Sequence, residues 1–100
     1  MGLEIFSLKD RVAIVTGGGR GIGQATALGL SQVGAKVVVA ARTESEIEET
    51  ASQIRAQGGQ SLAVPTDVVN EASIDNLVKK TLAHFKQIDI LVNKAGGVME

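Results

Sequence analysis

A glycine-rich stretch at residues 16–23 constrains the fold of this chain more than any other feature of its sequence. It follows an apolar run at residues 12–15 and precedes a helix-like segment that begins near Ile22. Glycines permit a tight turn with positive φ and place no Cβ between the main chain and a ligand. The helix N-terminus then offers unpaired N–H groups and a partial positive charge to an anion. Such a stretch either binds nucleotide phosphate or forms a turn whose glycines serve geometry alone, and its place between a buried strand and a helix favours phosphate binding.

The spacing of the glycines distinguishes two kinds of phosphate loop. From Thr16 the chain reads T-G-x-x-x-G-x-G, whereas a P-loop needs Lys followed by Ser or Thr after its last glycine. Gln24 and Ala25 occupy those positions, so the P-loop is excluded. The motif resembles the cofactor loop of the short-chain dehydrogenase/reductase (SDR) family, whose members bind a nicotinamide dinucleotide. The resemblance implies that six residues of the loop contact this cofactor: Gly17, Gly19, Arg20, Gly21, Ile22 and Gly23.

The composition is typical of one small globular domain. Of the 100 residues, 44% are apolar and 21% are charged, which separates the chain from disordered proteins. A net charge of −1 gives no electrostatic reason to bind nucleic acid or a membrane surface. No apolar run approaches the roughly 20 residues that span a bilayer, and there is no cysteine for a disulfide or a thiolate metal site. We therefore expect a cytoplasmic protein without a nucleic-acid or membrane partner.

Four apolar runs of strand length alternate with three helical patterns along the chain. The predicted strands cover residues 11–16, 36–41, 61–66 and 88–92. This alternation is typical of a parallel sheet with helices on both faces and right-handed connections. It predicts a Rossmann-like, doubly wound α/β fold whose strands lie in the order 3-2-1-4, an incomplete version of the full sheet. Pro65 in the third strand agrees with this order, because a residue without an N–H is tolerated at a sheet edge.

The helical patterns have recognisable starts and stops. Residues 21–33 form the first predicted helix, which Gly34 ends. Thr43 and Glu46 have the spacing of a capping box at the start of the second helix. Asn70 is the predicted N-cap of the third helix. An apolar stripe at helical spacing predicts the buried face of that helix: Ile74, Leu77, Val78, Leu82 and Phe85.

The predicted strand order also indicates where a ligand binds. Ligands of doubly wound sheets bind outside the carboxyl ends of the strands, at the point where the strand order reverses. That point lies between strands 1 and 4. Residues 16–23 follow strand 1, and a second glycine-bearing turn at residues 93–97 follows strand 4. We therefore expect both turns to line one crevice.

The residues after the second strand bear on the choice of dinucleotide. NAD-binding proteins often carry a carboxylate about 20 residues beyond the glycine turn, where it accepts the ribose hydroxyls. Here Ala41 and Arg42 occupy that region, with no carboxylate before Glu44. A guanidinium can bind a 2′-phosphate bidentately, and Arg20 in the glycine loop could reach the same phosphate. This favours NADP over NAD, the alternative being that Arg42 is an ordinary solvated residue.

Two further segments resemble the same family. Asp67 and Val68 match an Asp-Val pair that holds the adenine, although the helix dipole alone also favours an Asp near a helix start. The segment at residues 88–97 matches the fourth-strand signature, whose turn normally reads Asn-Asn-Ala-Gly. The resemblance places three of its residues against the cofactor ribose: Asn93, Ala95 and Gly96. It also implies that Asn93 and Asp89 brace the sheet. Lys94 departs from the signature, since it puts a cation near the expected nicotinamide end.

The resemblance covers residues 9–97 and implies an oxidoreductase that passes hydride between a nicotinamide and a carbonyl or secondary alcohol. Proteins of this family carry a catalytic Tyr-x-x-x-Lys motif, with a Ser and an Asn, in their later half. This chain contains no tyrosine. We therefore expect residues 1–100 to be the N-terminal NAD(P)-binding part of a single domain, without catalytic residues, of a protein that is a homo-oligomer at full length. A non-catalytic nucleotide-binding module and a non-functional fragment remain the alternatives.

The remaining polar residues favour structural interpretations. His84 has no second His, Cys or well-spaced carboxylate, so we expect no metal site. Four glutamates of the second helix are interpreted as a solvated face: Glu44, Glu46, Glu48 and Glu49. Strand 4 of an incomplete sheet has an unpaired edge, which promotes aggregation. We therefore expect the 100 residues alone to fold marginally or to associate.

Overall fold

Strands and helices alternate along the chain as the sequence predicts. The computed structural model describes residues 7–94. The elements in this range are β1 (Val12–Thr16), α1 (Gly21–Gln32), β2 (Lys36–Ala41), α2 (Glu44–Ala56), β3 (Ser61–Pro65), α3 (Glu71–Phe85) and β4 (Ile90–Asn93). The strand predicted to begin at Ile88 begins instead at Ile90. The reason is that the side chain of Asp89, rather than a main-chain carbonyl, accepts the Val12 N–H at this point.

The four strands form one parallel sheet in the order β3-β2-β1-β4, which confirms the predicted topology. Val12 lies opposite Lys36 of β2, and Ala13 lies opposite Ile90 of β4. The sheet therefore reverses its strand order between β1 and β4. Pro65 is the last residue of β3, an edge strand in this four-stranded sheet, where its missing N–H costs no ladder hydrogen bond.

Helices cover both faces of the sheet. Successive side chains of a strand point to opposite faces, so β1 and β2 each contribute to two apolar clusters. One cluster joins the sheet to α1 and α2, through Ala13, Val15, Val37, Val39, Ala27, Ile47, Ala51 and Ile54. The other joins it to α3, through Val12, Ile14, Val38, Val64, Leu77 and Phe85. Burial of each large aliphatic side chain stabilises the fold by about 1.5–3 kcal/mol, so the two central strands hold the layers together.

The helix ends agree with the predictions at two places and differ at a third. Gly34 follows α1 with φ 108°, and Asn70 caps α3 by accepting the Ser73 N–H at 3.0 Å. The predicted capping box of α2 is wrong, because the side chain of Thr43 makes no capping hydrogen bond. The side chain of Glu46 turns instead toward the glycine loop.

The apolar stripe of α3 is only partly buried. Leu77 and Phe85 lie in the core, whereas Ile74, Val78 and Leu82 are 37%, 36% and 42% exposed. Helix α3 packs on β3 and β2, so the part of its stripe that faces away from these strands has no cover in the part of the chain that the structure describes. Leu91 of β4 is 66% exposed, because α3 packs on β3 and β2 rather than on β4. Among residues 7–94, no helix is both long and apolar enough to cross a membrane.

Candidate functional site

The glycine loop connects β1 to α1, and its two ends are in close main-chain contact. Gly17 N donates to Ala40 O at 2.7 Å, which continues the β1–β2 ladder by one residue. Gly17 then turns the chain with φ 71°, a conformation that side chains disfavour. Gly23, in the first turn of α1, lies so close to the Gly17 carbonyl that a Cβ at this position would collide with its oxygen. The loop therefore folds back on its own start.

The N-terminus of α1 carries positive potential that nothing in its own sequence neutralises. Arg20 occupies the N-cap position in an extended conformation and provides no side-chain cap, and the first turn contains no acidic residue. By contrast, α2 begins with Glu44 and Glu46, and α3 begins with the Asn70 cap and Glu71. The first N–H groups of a helix lack intrahelical acceptors and lie at the positive end of its dipole. Helix α1 is therefore suited to an anion at this end.

The end of β1 is joined to the end of β4 by side-chain and main-chain contacts. The Thr16 hydroxyl lies 2.8 Å from Asn93 Oδ1 and 3.1 Å from the Lys94 nitrogen. Lys94 N also donates to Thr16 O at 3.2 Å. These contacts bring Asn93 beside the start of the glycine loop, where the predicted crevice lies. Lys94 itself is exposed, and the predicted ribose contacts Ala95 and Gly96 lie outside the described residues.

Asp89 braces the opposite ends of the same two strands. Its Oδ2 accepts the Val12 N–H at 2.8 Å and the Gln87 side-chain amide at 2.6 Å, and its Oδ1 lies 3.6 Å from Arg11 Nη1. The pKa of Asp89 lies below its ordinary value. The largest cause is the hydrogen bond from Val12, and the hydrogen bond from Gln87 and the positive charge of Arg11 lower the pKa further. The carboxylate is thus stabilised in its charged form by the strand it braces.

The residues predicted to hold the adenosine end lie at the ends of β2 and β3. Thr66 N donates to Ala41 O at 2.8 Å, so the chain segments that lead to Arg42 and Asp67 leave the sheet side by side. Arg42 is exposed. Asp67 is half-buried, and its Oδ1 accepts the Val69 N–H at 3.1 Å while its own N–H donates to Ser73 Oγ at 2.8 Å. The carboxylate is therefore oriented by its own loop.

Two apolar side chains project from the same end of the molecule. Ile22, in the first turn of α1, is 72% exposed, and Val69, in the loop after β3, is 87% exposed. Val68 is half-buried. Exposed apolar side chains beside a polar loop are suited to contact with a ring or another flat apolar group.

Helix α2 contacts the glycine loop through residues to which the sequence assigned no such role. Arg20 Nη1 lies 3.9 Å from Glu46 Oε2, with side chains that are 84% and 35% exposed. Glu46, interpreted from the sequence as part of a solvated face, is thus partly exposed and also pairs with the glycine loop. Thr50 is fully buried, and its hydroxyl donates to Gly18 O at 2.9 Å. Gln53 Oε1 accepts a hydrogen bond from Gln24 Nε2 of α1 at 3.1 Å. Only the spacing of these three residues, at i, i+4 and i+7 on one helix face, signals a shared contact.

Metal ligands are not grouped in the part of the chain that the structure describes. No three His, Cys, Asp or Glu side chains of residues 7–94 come together in a way that could hold an ion. His84 instead packs edge-on against Phe85, with ring centroids 4.6 Å apart.

Comparison with known proteins gives this geometry a family. The family model described as short chain dehydrogenase matches residues 11–100. The chain belongs to this family. A curated SDR relative, an uncharacterized oxidoreductase of Mycobacterium tuberculosis, is 43% identical over 97 residues. A 3-oxoacyl-(acyl-carrier-protein) reductase of Synechocystis is 46% identical over 91 residues.

The likeness to these SDR proteins covers nearly all of this chain and a minor part of theirs. The two matches span 97% and 90% of this chain but 37% of each relative. A solved structure, the hydroxysteroid dehydrogenase of Escherichia coli, superposes with a TM-score of 0.85 at 32% identity, over 87% of this chain and 37% of that one. The fold described above is therefore the SDR fold over the part of the family that this chain spans.

Proposed function

We propose that this chain is the NAD(P)-binding part of an SDR oxidoreductase that uses NADP(H). The observation that carries the proposal is the bare N-terminus of α1, without a side-chain cap or an acid in its first turn, at the end of a glycine loop beside the β1–β4 junction. Membership of the short chain dehydrogenase family supports it, since that family uses nicotinamide dinucleotides. The pyrophosphate of the cofactor is the anion for which this helix end is suited.

The loop binds the pyrophosphate through its main chain. The contacts assigned to this role are Gly17, Gly19, Gly21, Ile22 and Gly23. Among these, Gly23 allows the loop to close on itself, and Gly17 and Gly21 have φ of 71° and 61°. Ile22 adds an exposed apolar side chain at the same place.

The adenosine end lies along the ends of β2 and β3. Arg42 binds the 2′-phosphate, and Arg20 assists when it leaves Glu46, a change that costs little because both side chains reach solvent. Ala41 stands where a carboxylate would repel that phosphate. Asp67 and Val68 hold the adenine, because the Asp67 carboxylate is fixed by its loop and Val68 offers a half-buried apolar surface.

The nicotinamide end lies at the junction of β1 and β4. Asn93, Ala95 and Gly96 contact the ribose, and the bonds between Thr16 and the Asn93–Lys94 segment support this assignment for Asn93. Lys94, which departs from the family signature here, is exposed.

The reaction is hydride transfer between the nicotinamide and a carbonyl or secondary alcohol. The printed names of the relatives, a 3-oxoacyl reductase and a hydroxysteroid dehydrogenase, support this class of substrate. The acid/base Tyr and its Lys belong to the part of the family that this chain does not span, since it contains no tyrosine and covers 37% of its curated relatives. We assign to this chain cofactor binding alone, and to a full-length cytoplasmic protein the homo-oligomeric assembly and the catalytic step.

A titration tests this proposal. The purified chain is titrated with NADPH and with NADH, and nicotinamide fluorescence is followed. We expect tighter binding of NADPH, and a loss of about ten- to hundredfold in NADPH affinity in Arg42→Ala, because a charge-assisted hydrogen bond contributes about 1.5–3 kcal/mol. NADH affinity should not change. Lys79→Ala, which removes an exposed cation from α3, is the matched control.

Two results would contradict the proposal. A folded chain that binds neither dinucleotide would leave the non-functional fragment as the better interpretation. An Arg42→Ala variant with an unchanged ratio of NADPH to NADH affinity would refute the assignment of the 2′-phosphate.

A further inference from the structure

We infer that Thr50 is a positioning residue for the dinucleotide phosphate, because its buried hydroxyl fixes the glycine loop from α2. The inference rests on the proposed function and extends it to a residue that touches neither cofactor nor substrate. Thr50 is fully buried, and its Oγ1 lies 2.9 Å from Gly18 O and 3.3 Å from Glu46 O. A hydroxyl has one proton to donate, and the shorter distance assigns that proton to the loop.

The contact with Thr50 determines how one peptide plane of the loop is oriented. In a trans peptide, the carbonyl of one residue and the N–H of the next point in opposite directions. The Gly18 carbonyl points to Thr50, so the Gly19 N–H points away from α2. Among residues 7–94, that N–H makes no hydrogen bond. Thr50 therefore fixes the orientation of the peptide that joins Gly18 to Gly19, and with it the direction of a main-chain donor of the loop.

The loop packs closely between the sheet and α2. A Cβ on Gly18 would lie 3.0 Å from Val39 Cγ1 and 3.2 Å from Val15 O, and a Cβ on Gly19 would lie 2.7 Å from Glu46 Cβ. The sheet therefore supports one side of the loop, and α2 supports the other. Without the Thr50 hydroxyl, the buried Gly18 carbonyl would lose its donor, and the loop would gain by rotating that peptide toward water.

The chain supplies a matched control for this residue. Thr81 is also a fully buried threonine in a helix, and its Oγ1 donates to Leu77 O at 2.8 Å within α3. Thr→Val removes a hydroxyl at either site and nearly preserves the shape of the side chain. Both variants therefore lose a buried hydrogen bond, but only Thr50→Val loses one that reaches the glycine loop.

The experiment compares Thr50→Val, Thr50→Ser and Thr81→Val with the wild-type chain in two measurements. Affinity for NADPH and NADH is obtained by fluorescence titration, and amide hydrogen exchange of residues 17–21 is recorded without ligand. We expect Thr50→Val to weaken both dinucleotides by about tenfold, the equivalent of one hydrogen bond, and to speed exchange in the loop. Thr50→Ser restores both properties, and Thr81→Val changes neither.

The two dinucleotides separate this inference from the assignment of Arg42. Because NADPH and NADH share the pyrophosphate, Thr50→Val should leave their affinity ratio unchanged, whereas Arg42→Ala changes it. Wild-type affinity and loop exchange retained in Thr50→Val would overturn the inference, and so would an equal loss of affinity in Thr81→Val. A wild-type chain that binds no dinucleotide would refute the proposed function and the ligand part of this inference, while the exchange rates would still show whether Thr50 holds the loop.

Discussion

The hydroxyl of Thr16 lies 2.8 Å from Oδ1 of Asn93, and this contact joins the last residue of β1 to the last residue of β4. Thr16 is 5% exposed and Asn93 is exposed, so the bond links a buried side chain to one at the surface. The same hydroxyl lies 3.1 Å from the Lys94 nitrogen, whose N–H it can accept. One small polar side chain thus sets the spacing between the strand that starts the glycine loop and the strand that carries Asn93.

Thr16→Val should destabilise the chain by about 0.5–1.5 kcal/mol, because it removes the partly buried hydrogen bonds between the hydroxyl and the Asn93–Lys94 segment. Urea unfolding followed by circular dichroism measures this change. Thr43→Val is the control, since the exposed Thr43 makes no capping hydrogen bond and its loss should stay within about 0.5 kcal/mol. Equal midpoints for the two variants would show that the Thr16 hydroxyl does not hold β4.

Gly23→Ala should disrupt the glycine loop, whereas Gly29→Ala in the same helix should not. A Cβ at Gly23 collides with the Gly17 carbonyl, while a Cβ at Gly29 meets nothing within 4 Å. We expect Gly23→Ala to destabilise the chain by about 1–3 kcal/mol through overpacking and to weaken dinucleotide binding. Gly29→Ala should stabilise it by about 0.5–1 kcal/mol through helix propensity. Thermal unfolding measures both changes. Melting temperatures that shift in the same direction in the two variants would contradict this expectation.

Asp89→Asn should remove a contribution to stability that depends on pH. The hydrogen bond from Val12 N–H, followed by that from Gln87 and the charge of Arg11, lowers the pKa of Asp89 from its ordinary value of 3.8. A carboxyl whose pKa is lower in the folded state contributes fully above its unfolded pKa, and loses that contribution as pH falls through the folded pKa. The difference in urea midpoint between wild type and Asp89→Asn should therefore be largest near neutral pH and should shrink below about pH 4.

The control for this pH dependence is Asp75→Asn, which removes the same charge from an exposed position of α3. Its difference from the wild type should vary less with pH than that of Asp89→Asn. A constant Asp89→Asn difference from neutral to acid pH would show that Asp89 does not brace the strands as a carboxylate.

The purified chain should associate through its exposed apolar side chains. Val78 and Leu82 of α3 are 36% and 42% exposed, and Leu91 of β4 is 66% exposed. Clusters of exposed apolar side chains promote association in water. We expect the mean mass in sedimentation equilibrium to rise with concentration, and the Val78→Glu/Leu82→Glu variant to associate several-fold more weakly. Ala83→Glu adds charge to the same helix as a control, and a wild-type chain that stays monomeric at high concentration would contradict the prediction.

The order of the strands could be predicted because local patterns locate the strands and helices, and the doubly wound arrangement then gives their order. The apolar run that became β1 does not alternate, which indicates a strand buried on both faces, as in a parallel sheet. Pro65 added a restraint that is independent of hydrophobicity, since it is compatible with an edge. Asn70 capped α3 as predicted because a cap forms with residues next to it in sequence.

The contacts of α2 with the glycine loop could not be predicted, because they depend on the packing of segments far apart in sequence. Thr50 and Gly18 are separated by 32 positions, and no residue near Thr50 in the sequence indicates that its hydroxyl donates to a carbonyl outside the helix. Glu46 had two plausible local roles, in a capping box and on a solvated face; the capping box does not form, and the partly exposed carboxylate pairs with Arg20 of the loop. The stripe of α3 was correctly identified as apolar, but the sequence pattern does not tell how much of it finds a partner.

The paired strands differ in their separation along the chain, which bears on the order in which we expect the sheet to assemble. The hydrogen bond between Ser61 of β3 and Val37 of β2 links residues that are 24 positions apart, whereas the bond between Thr16 and Asn93 links residues that are 77 positions apart. Since closure entropy grows with the logarithm of loop length, the second closure costs about 1 kcal/mol more than the first. Amide exchange should therefore be faster in β4 than in β2. We expect the bonds that join the two walls of the crevice to form last in folding, so the seam at which a dinucleotide would lie should be the seam at which the sheet first opens.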